Sequence, residues 1–256
     1  MTDHVGNTTI TAVTDVDSAA HTSAGSPRIV LLVGAGAHSD PWHALTATSQ
    51  RIAELLYDHG FTNVRAVSTD EHGDFLKAME GADVLITNAS SDLSEASPDS
   101  TALVDVITSH WHRGGGVLAS HSSTLAFRDD PRWAALLGGR WVPGTTMHPQ
   151  IGTSLIQAAP HAHNPLTFDD FTVYDERYTH LETSTQAQIL AIHTEDGMTH
   201  PLIWANNAHK NYGRVAYDAL GHGVESYDSP AHQQVFLSLV RWVAGTSITA
   251  GQKAPA

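Results

Sequence analysis

From Arg28 onward, unbroken apolar runs alternate with stretches in which apolar residues return every third or fourth position. The run Ile29-Val30-Leu31-Leu32-Val33 is the pattern of a strand covered on both faces. After it, Leu45, Thr48, Ile52, Leu55 and Leu56 fall on one stripe of a helix. Asp40 is placed to cap that helix, Pro41 suits its first turn, and Gly60 supplies a left-handed stop. Strands are expected over residues 63–67, 82–87 and 117–120, with helices over 71–79 and 98–113 between them. Beyond these the order changes. Residues 152–158, 188–193, 201–205 and 213–220 read as strands without full helices between them, and a last helix covers 230–244. The economical architecture is α/β: a mainly parallel sheet with helices on both faces and an antiparallel extension.

Two segments fall outside this pattern. Residues 1–27 are rich in Thr, Ser, Ala and Asp and lack both the basic start and the apolar stretch of a signal peptide, so they read as a disordered tail. Residues 246–256 form a polar tail, which leaves 28–245 as a single domain. No apolar run approaches the roughly 20 residues of a membrane span.

Charge and composition narrow the function. Thirteen basic residues against 27 acidic ones give a net charge of −14, which repels phosphate backbones and anionic membranes. Neither a nucleic acid nor a membrane is therefore expected as a partner. Without cysteine there is no thiolate nucleophile, no Cys-ligated zinc and no disulfide, which fits a reducing cytoplasm. The 18 histidines outnumber Lys and Arg together.

In a parallel sheet, ligands sit beyond the carboxyl ends of the strands. That places the chemistry on the loops at 35–42, 88–98 and 121–128. Gly34-Ala35-Gly36 opens like a dinucleotide-binding turn, but Ser39 stands where the third glycine belongs and Asp40 would face the pyrophosphate. No Gly-x-Ser-x-Gly elbow and no His-Glu-x-x-His helix is present. The Gly114-Gly115-Gly116-Val117-Leu118-Ala119-Ser120-His121 run, by contrast, delivers a histidine to the turn leaving a buried strand. His4, His21, His59 and His232 read as surface residues, and Trp111, Trp133 and Trp242 as core.

Further motifs follow in order: Arg128, Leu137-Gly138-Gly139, His148, Asp175-Glu176-Arg177-Tyr178, Pro201 to Trp204, and Gly213-Arg214-Val215 leading to Leu220-Gly221-His222. With the loop from His38 to His43 and the closing Arg241-Trp242, this series resembles the ThuA-like family, named for trehalose utilisation. The resemblance implies a flavodoxin-like sheet of the class I glutamine amidotransferase type, in which the elbow after the glycine-rich strand carries a catalytic cysteine. Here His121 holds that place, so thiol-based ammonia release is excluded. Asn211-Tyr212 and Ser122-Ser123 depart from the Gly-Lys and Gly-Ala pairs common in the family.

If the rim loops converge, His38, His121, His148, Glu176 and His222 line one pocket. Imidazoles beside a carboxylate suit proton transfer near neutral pH. His121 and Glu176 form the expected acid–base core, with His38 and His222 beside them. Trp42, His43, Arg128, His148, Tyr178 and Trp204 are candidate substrate contacts, and the aromatic rings offer faces to a sugar. The family name points to disaccharides and their 3-keto derivatives, whose acidified C–H bonds suit elimination or isomerisation; hydrolysis is the third option. No cofactor is required by this reading. An alternative is a zinc-dependent hydrolase or lyase using His38, His121, His148 or His222 as ligands. Another is a non-catalytic, sugar-binding partner of a dehydrogenase, with self-association into a homo-oligomer also open.

Overall fold

The computed structural model describes residues 26–160, 166, 168–206 and 211–245. Most of the expected N-terminal tail, the C-terminal tail, His4, His21 and the His161 and His163 pair lie outside the described residues.

The first half follows the hydrophobic pattern closely. It runs β1 (Ile29–Val33), α1 (Leu45–Asp58), β2 (Val64–Ser68), α2 (His72–Met79), β3 (Val84–Asn88), α3 (Thr101–His112) and β4 (Gly116–Ser120). β1, β3 and β4 are buried at every position, as strands flanked by helices on both faces must be. Two short helices follow, α4 (Ser123–Ala126) and α5 (Pro131–Leu137), and then β5 (Gly139–Arg140). The second half holds β6 (Gly152–Ala158), β7 (Phe171–Asp175), β8 (Glu182–Thr183), β9 (Ala187–Glu195), β10 (Met198–Asn206), β11 (Val215–Asp218) and α6 (Pro230–Val243).

Nine strands form one sheet in the order β2-β1-β3-β4-β11-β10-β9-β6-β7. The pairs from β2 to β11 are parallel, and those from β11 to β7 are antiparallel. This is the mainly parallel sheet with an antiparallel extension that the sequence pattern predicts. β5 and β8 make a separate two-stranded ladder. β11 returns next to β4, so the carboxyl ends of those two strands deliver His121 and the segment 219–222 to the same edge.

Several local expectations need correction. α1 starts at Leu45, because Asp40 accepts from the backbone N–H groups of Trp42 and His43 and shapes a turn instead of a helix start. α4, α5 and the edge strand β7 escape the periodicity reading, since the first two are short and β7 borders the motif at Asp175. His232 is not a surface residue: it is fully buried, on the inward face of α6. Among the described residues no helix is long and apolar enough to cross a membrane.

Candidate active site at the rim of the sheet

The site is built on a strained turn. His121 leaves β4 with φ +43, an uncommon conformation for a residue with a Cβ. Its neighbours hold it there. The His121 backbone N–H donates to the Asp218 carbonyl at 2.6 Å, and the Tyr217 hydroxyl donates to the His121 carbonyl at 2.7 Å. Ser122 and Ser123 anchor the next residues through their hydroxyls, which donate to the carbonyls of Ala89 and Thr87. The Ser-Ser departure from the family pattern thus serves the architecture of the elbow.

Hydrogen bonds at the outer edge of each ring set which nitrogen faces inward. His121 Nδ1 lies 2.6 Å from the Ala219 carbonyl, which only accepts, so Nδ1 carries the proton. His43 Nδ1 lies 2.7 Å from a carboxylate oxygen of Asp40 and donates to it. Both Nε2 atoms therefore present lone pairs to the interior, 3.1 Å apart. The Tyr178 hydroxyl donates to His121 Nε2 at 2.8 Å, with its ring stacked on the imidazole. Glu176 closes the group, with Oε2 3.5 Å from His121 Nε2 and 3.3 Å from His222 Nδ1. His222 Nδ1 is buried and makes no hydrogen bond among the described residues, despite that short distance. His148, on the exposed side, reaches the other Glu176 oxygen at 3.1 Å.

Electrostatics follow from this packing. Burial pushes the Glu176 carboxyl up, but His121 and His222 outweigh it and hold the group well below the carboxylate range. Glu176 in turn raises His222. Burial lowers His43, with His121 adding to the effect, which agrees with a neutral ring. Asp40 is held at about 2, because His43 and Ser90 outweigh its own burial. Burial drives Tyr178 far above its ordinary value, so it stays a neutral donor.

One ligand atom from each of His43, His121, Glu176 and His222 lies within 4.8 Å of the others, a set that could hold a metal ion. The donors fit a divalent transition metal in kind: three imidazole nitrogens and one carboxylate, with the second nitrogens of His43 and His121 engaged outside the group.

The structure gathers six of the sequence candidates here: His43, His121, His148, Glu176, Tyr178 and His222. Three others lie apart, and the fourth adjoins a member of the group in the chain. His38 turns inward on a short helical turn, where its Nε2 meets the Ser100 hydroxyl at 3.1 Å and its ring edge packs on Phe127. Arg128 is engaged with Ser91 and the carbonyls of Asp92 and Glu95, bracing that loop. Trp204 is fully buried, with its indole N–H on the Leu137 carbonyl and its ring against Tyr217. Trp42 is 62% exposed, next in sequence to His43. Two further carboxylates belong to the site, and each leaves a trace in the sequence. Asp40, which orients His43, carried a signal in its i, i+3 spacing. Asp175 carried one in its place beside Glu176.

A mainly parallel sheet with a histidine on the elbow after β4 is the glutamine amidotransferase-like, flavodoxin-like fold. Within that class, the chain belongs to the ThuA family, described by trehalose utilisation, whose model matches residues 29–243. A ThuA-like protein from Parabacteroides merdae is similar in structure, with a TM-score of 0.71 and 17% identity over 90% of this chain and 94% of that one. Another from Bacteroides uniformis gives 0.64 and 17%, covering 86% and 93%. A glutamine amidotransferase from Methylobacillus flagellatus gives 0.52 and 10%, covering 90% and 99%. No curated protein matches the chain. The family gives the chain a carbohydrate-related role.

Proposed function

We propose that this protein is a carbohydrate-acting enzyme whose reactive centre is a divalent-metal site formed by His43, His121, Glu176 and His222. One observation carries the reading: the two Nε2 lone pairs that face each other at 3.1 Å, with their Nδ1 protons turned outward. Two acceptor nitrogens at that distance repel, the Tyr178 hydroxyl offsetting this at His121 Nε2 alone, and a shared cation turns the repulsion into attraction. The unpartnered His222 Nδ1 and the anionic Glu176 complete the donor set.

A zinc-class ion would supply Lewis acidity toward a carbonyl or hydroxyl oxygen of the sugar. The chain's own residues do the rest. The neutral Tyr178 hydroxyl donates a hydrogen bond at the centre. His148, partly exposed at the mouth, takes up a proton, and Trp42 offers an apolar face to the ring. This suits a 3-keto-glycoside, in which a proton leaves the carbon beside the keto group and elimination or isomerisation follows.

A second reading rests on the Glu176–His222 pair, whose opposed shifts describe an ion pair without metal. In it His121 and Glu176 exchange protons with the sugar directly. Metal analysis of protein purified without a histidine tag, followed by chelation and readdition during turnover of 3-keto disaccharides, separates the two. The metal reading expects about one zinc-class ion per chain and activity that falls and returns with it. Turnover that survives a metal-free preparation overturns it in favour of the acid–base pair. Sugar binding with no turnover in either state would make the chain a binding partner.

A further inference from the structure

Beneath the site lies a buried chain of polar groups that the chemistry above does not use. His232 is fully buried, with Nε2 3.0 Å from Asp218 Oδ2 and Nδ1 3.0 Å from the Ser226 carbonyl and 2.9 Å from the Ser226 hydroxyl. Carbonyl and carboxylate oxygens only accept, so both ring nitrogens carry protons and the ring is an imidazolium. The Ser226 hydroxyl then donates to Asp175 Oδ2 at 2.5 Å. Two buried carboxylates are thus joined through one cation and one hydroxyl.

Both carboxylates grip the loop that carries His222. Asp218 Oδ1 accepts from the Leu220 N–H at 3.0 Å. Asp175 accepts from the Gly221 N–H at 2.7 Å, the His222 N–H at 3.1 Å and the Glu176 N–H at 2.8 Å. The same loop supplies the Ala219 carbonyl that orients His121. Gly221, at φ +114, gives the turn its shape.

We infer that His232, acting through Ser226, Asp175 and Asp218, is a positioning residue that fixes His121, Glu176 and His222 relative to one another. Without the imidazolium the two buried carboxylates lose the cation that links them, and the loop they hold loses its fixed geometry. The inference uses the metal reading only for its affinity arm.

The test compares wild type with His232→Gln, Ser226→Ala and Ser226→Thr, using the full chain. In His232→Gln and Ser226→Ala, hydrogen exchange at the Gly221 and His222 amides should quicken at least about tenfold relative to the β4 amides of the same molecule. Zinc affinity of the folded protein should fall about 10–100-fold, with Ser226→Thr close to wild type. A lower Tm with loop exchange tracking β4 and zinc affinity unchanged would overturn the inference and leave the network merely structural. If wild type takes up no zinc, the metal reading fails, and the exchange ratio alone decides the positioning role.

Discussion

Among the described residues, two knots of histidine differ in almost everything except composition. Around Glu176, three rings turn nitrogens toward one carboxylate. Around His200, the rings of His180 and His193 pack at 4.7 and 5.3 Å, close enough to invite the same reading. There, however, one nitrogen on each of two rings serves the backbone. His200 Nδ1 accepts from the His180 N–H, and His193 Nε2 meets the Tyr178 carbonyl at 3.0 Å. Burial lowers both His193 and His200. Density of imidazole is therefore not chemistry. What distinguishes the first knot is the outward anchoring of His43 and His121 and an anion at the focus.

Substitutions separate the two knots. Glu176→Gln should have the largest effect, abolishing turnover and weakening zinc binding more than about 100-fold by titration, since it removes the only anionic donor. The zinc-induced rise in Tm should vanish with it. Zinc bound as tightly as before would move the focus elsewhere. Asp40→Asn keeps the size but weakens the anchor of His43, and a 10–100-fold loss of zinc affinity is expected. His193→Ala belongs to the other knot: it strands the buried Tyr178 carbonyl and should cost about 1–3 kcal/mol by urea unfolding, with zinc affinity held. A matching fall in affinity would erase the distinction between the two regions. Trp42→Ala, at an exposed position, should raise KM for the sugar by several-fold, about 1 kcal/mol, without moving Tm.

The smallest effect is a pH dependence. Burial lowers His232, but Asp218, Ser226 and Asp175 raise it further, so its folded value lies above its ordinary one. A raised value means that the stabilisation is complete below about pH 6.5 and fades as pH climbs through the folded value. The gap in Tm between wild type and His232→Gln should therefore narrow from pH 6 to pH 9. The groups facing this ring are Asp218, Ser226 and Tyr227, with Asp175 one hydroxyl away.

The parallel half was legible because buried strands and one-sided helices leave different periods in the sequence. Leu45, Thr48, Ile52, Leu55 and Leu56 all face inward as their spacing predicts. The convergence of His121, Glu176 and His222 followed from the rule that strand ends share a rim. The choice between His38 and His43 did not, because it depends on whether Asp40 starts a helix or folds a turn. Trp204 was misplaced for a related reason. β10 is buried on both faces over its second half, so no side chain there points to a ligand. His232 looked like any histidine near a helix start, and only the fold brings Asp218 under it.

The elbow at His121 has one more consequence. Its contorted main chain is clamped by Tyr217, Asp218 and the two serines, none of which depends on the imidazole. The turn is thus a socket that will thrust whatever residue it bears toward the same focus. Installing a thiol there would place a sulfur nucleophile among the surrounding histidines, and the scaffold could change trade by a single replacement.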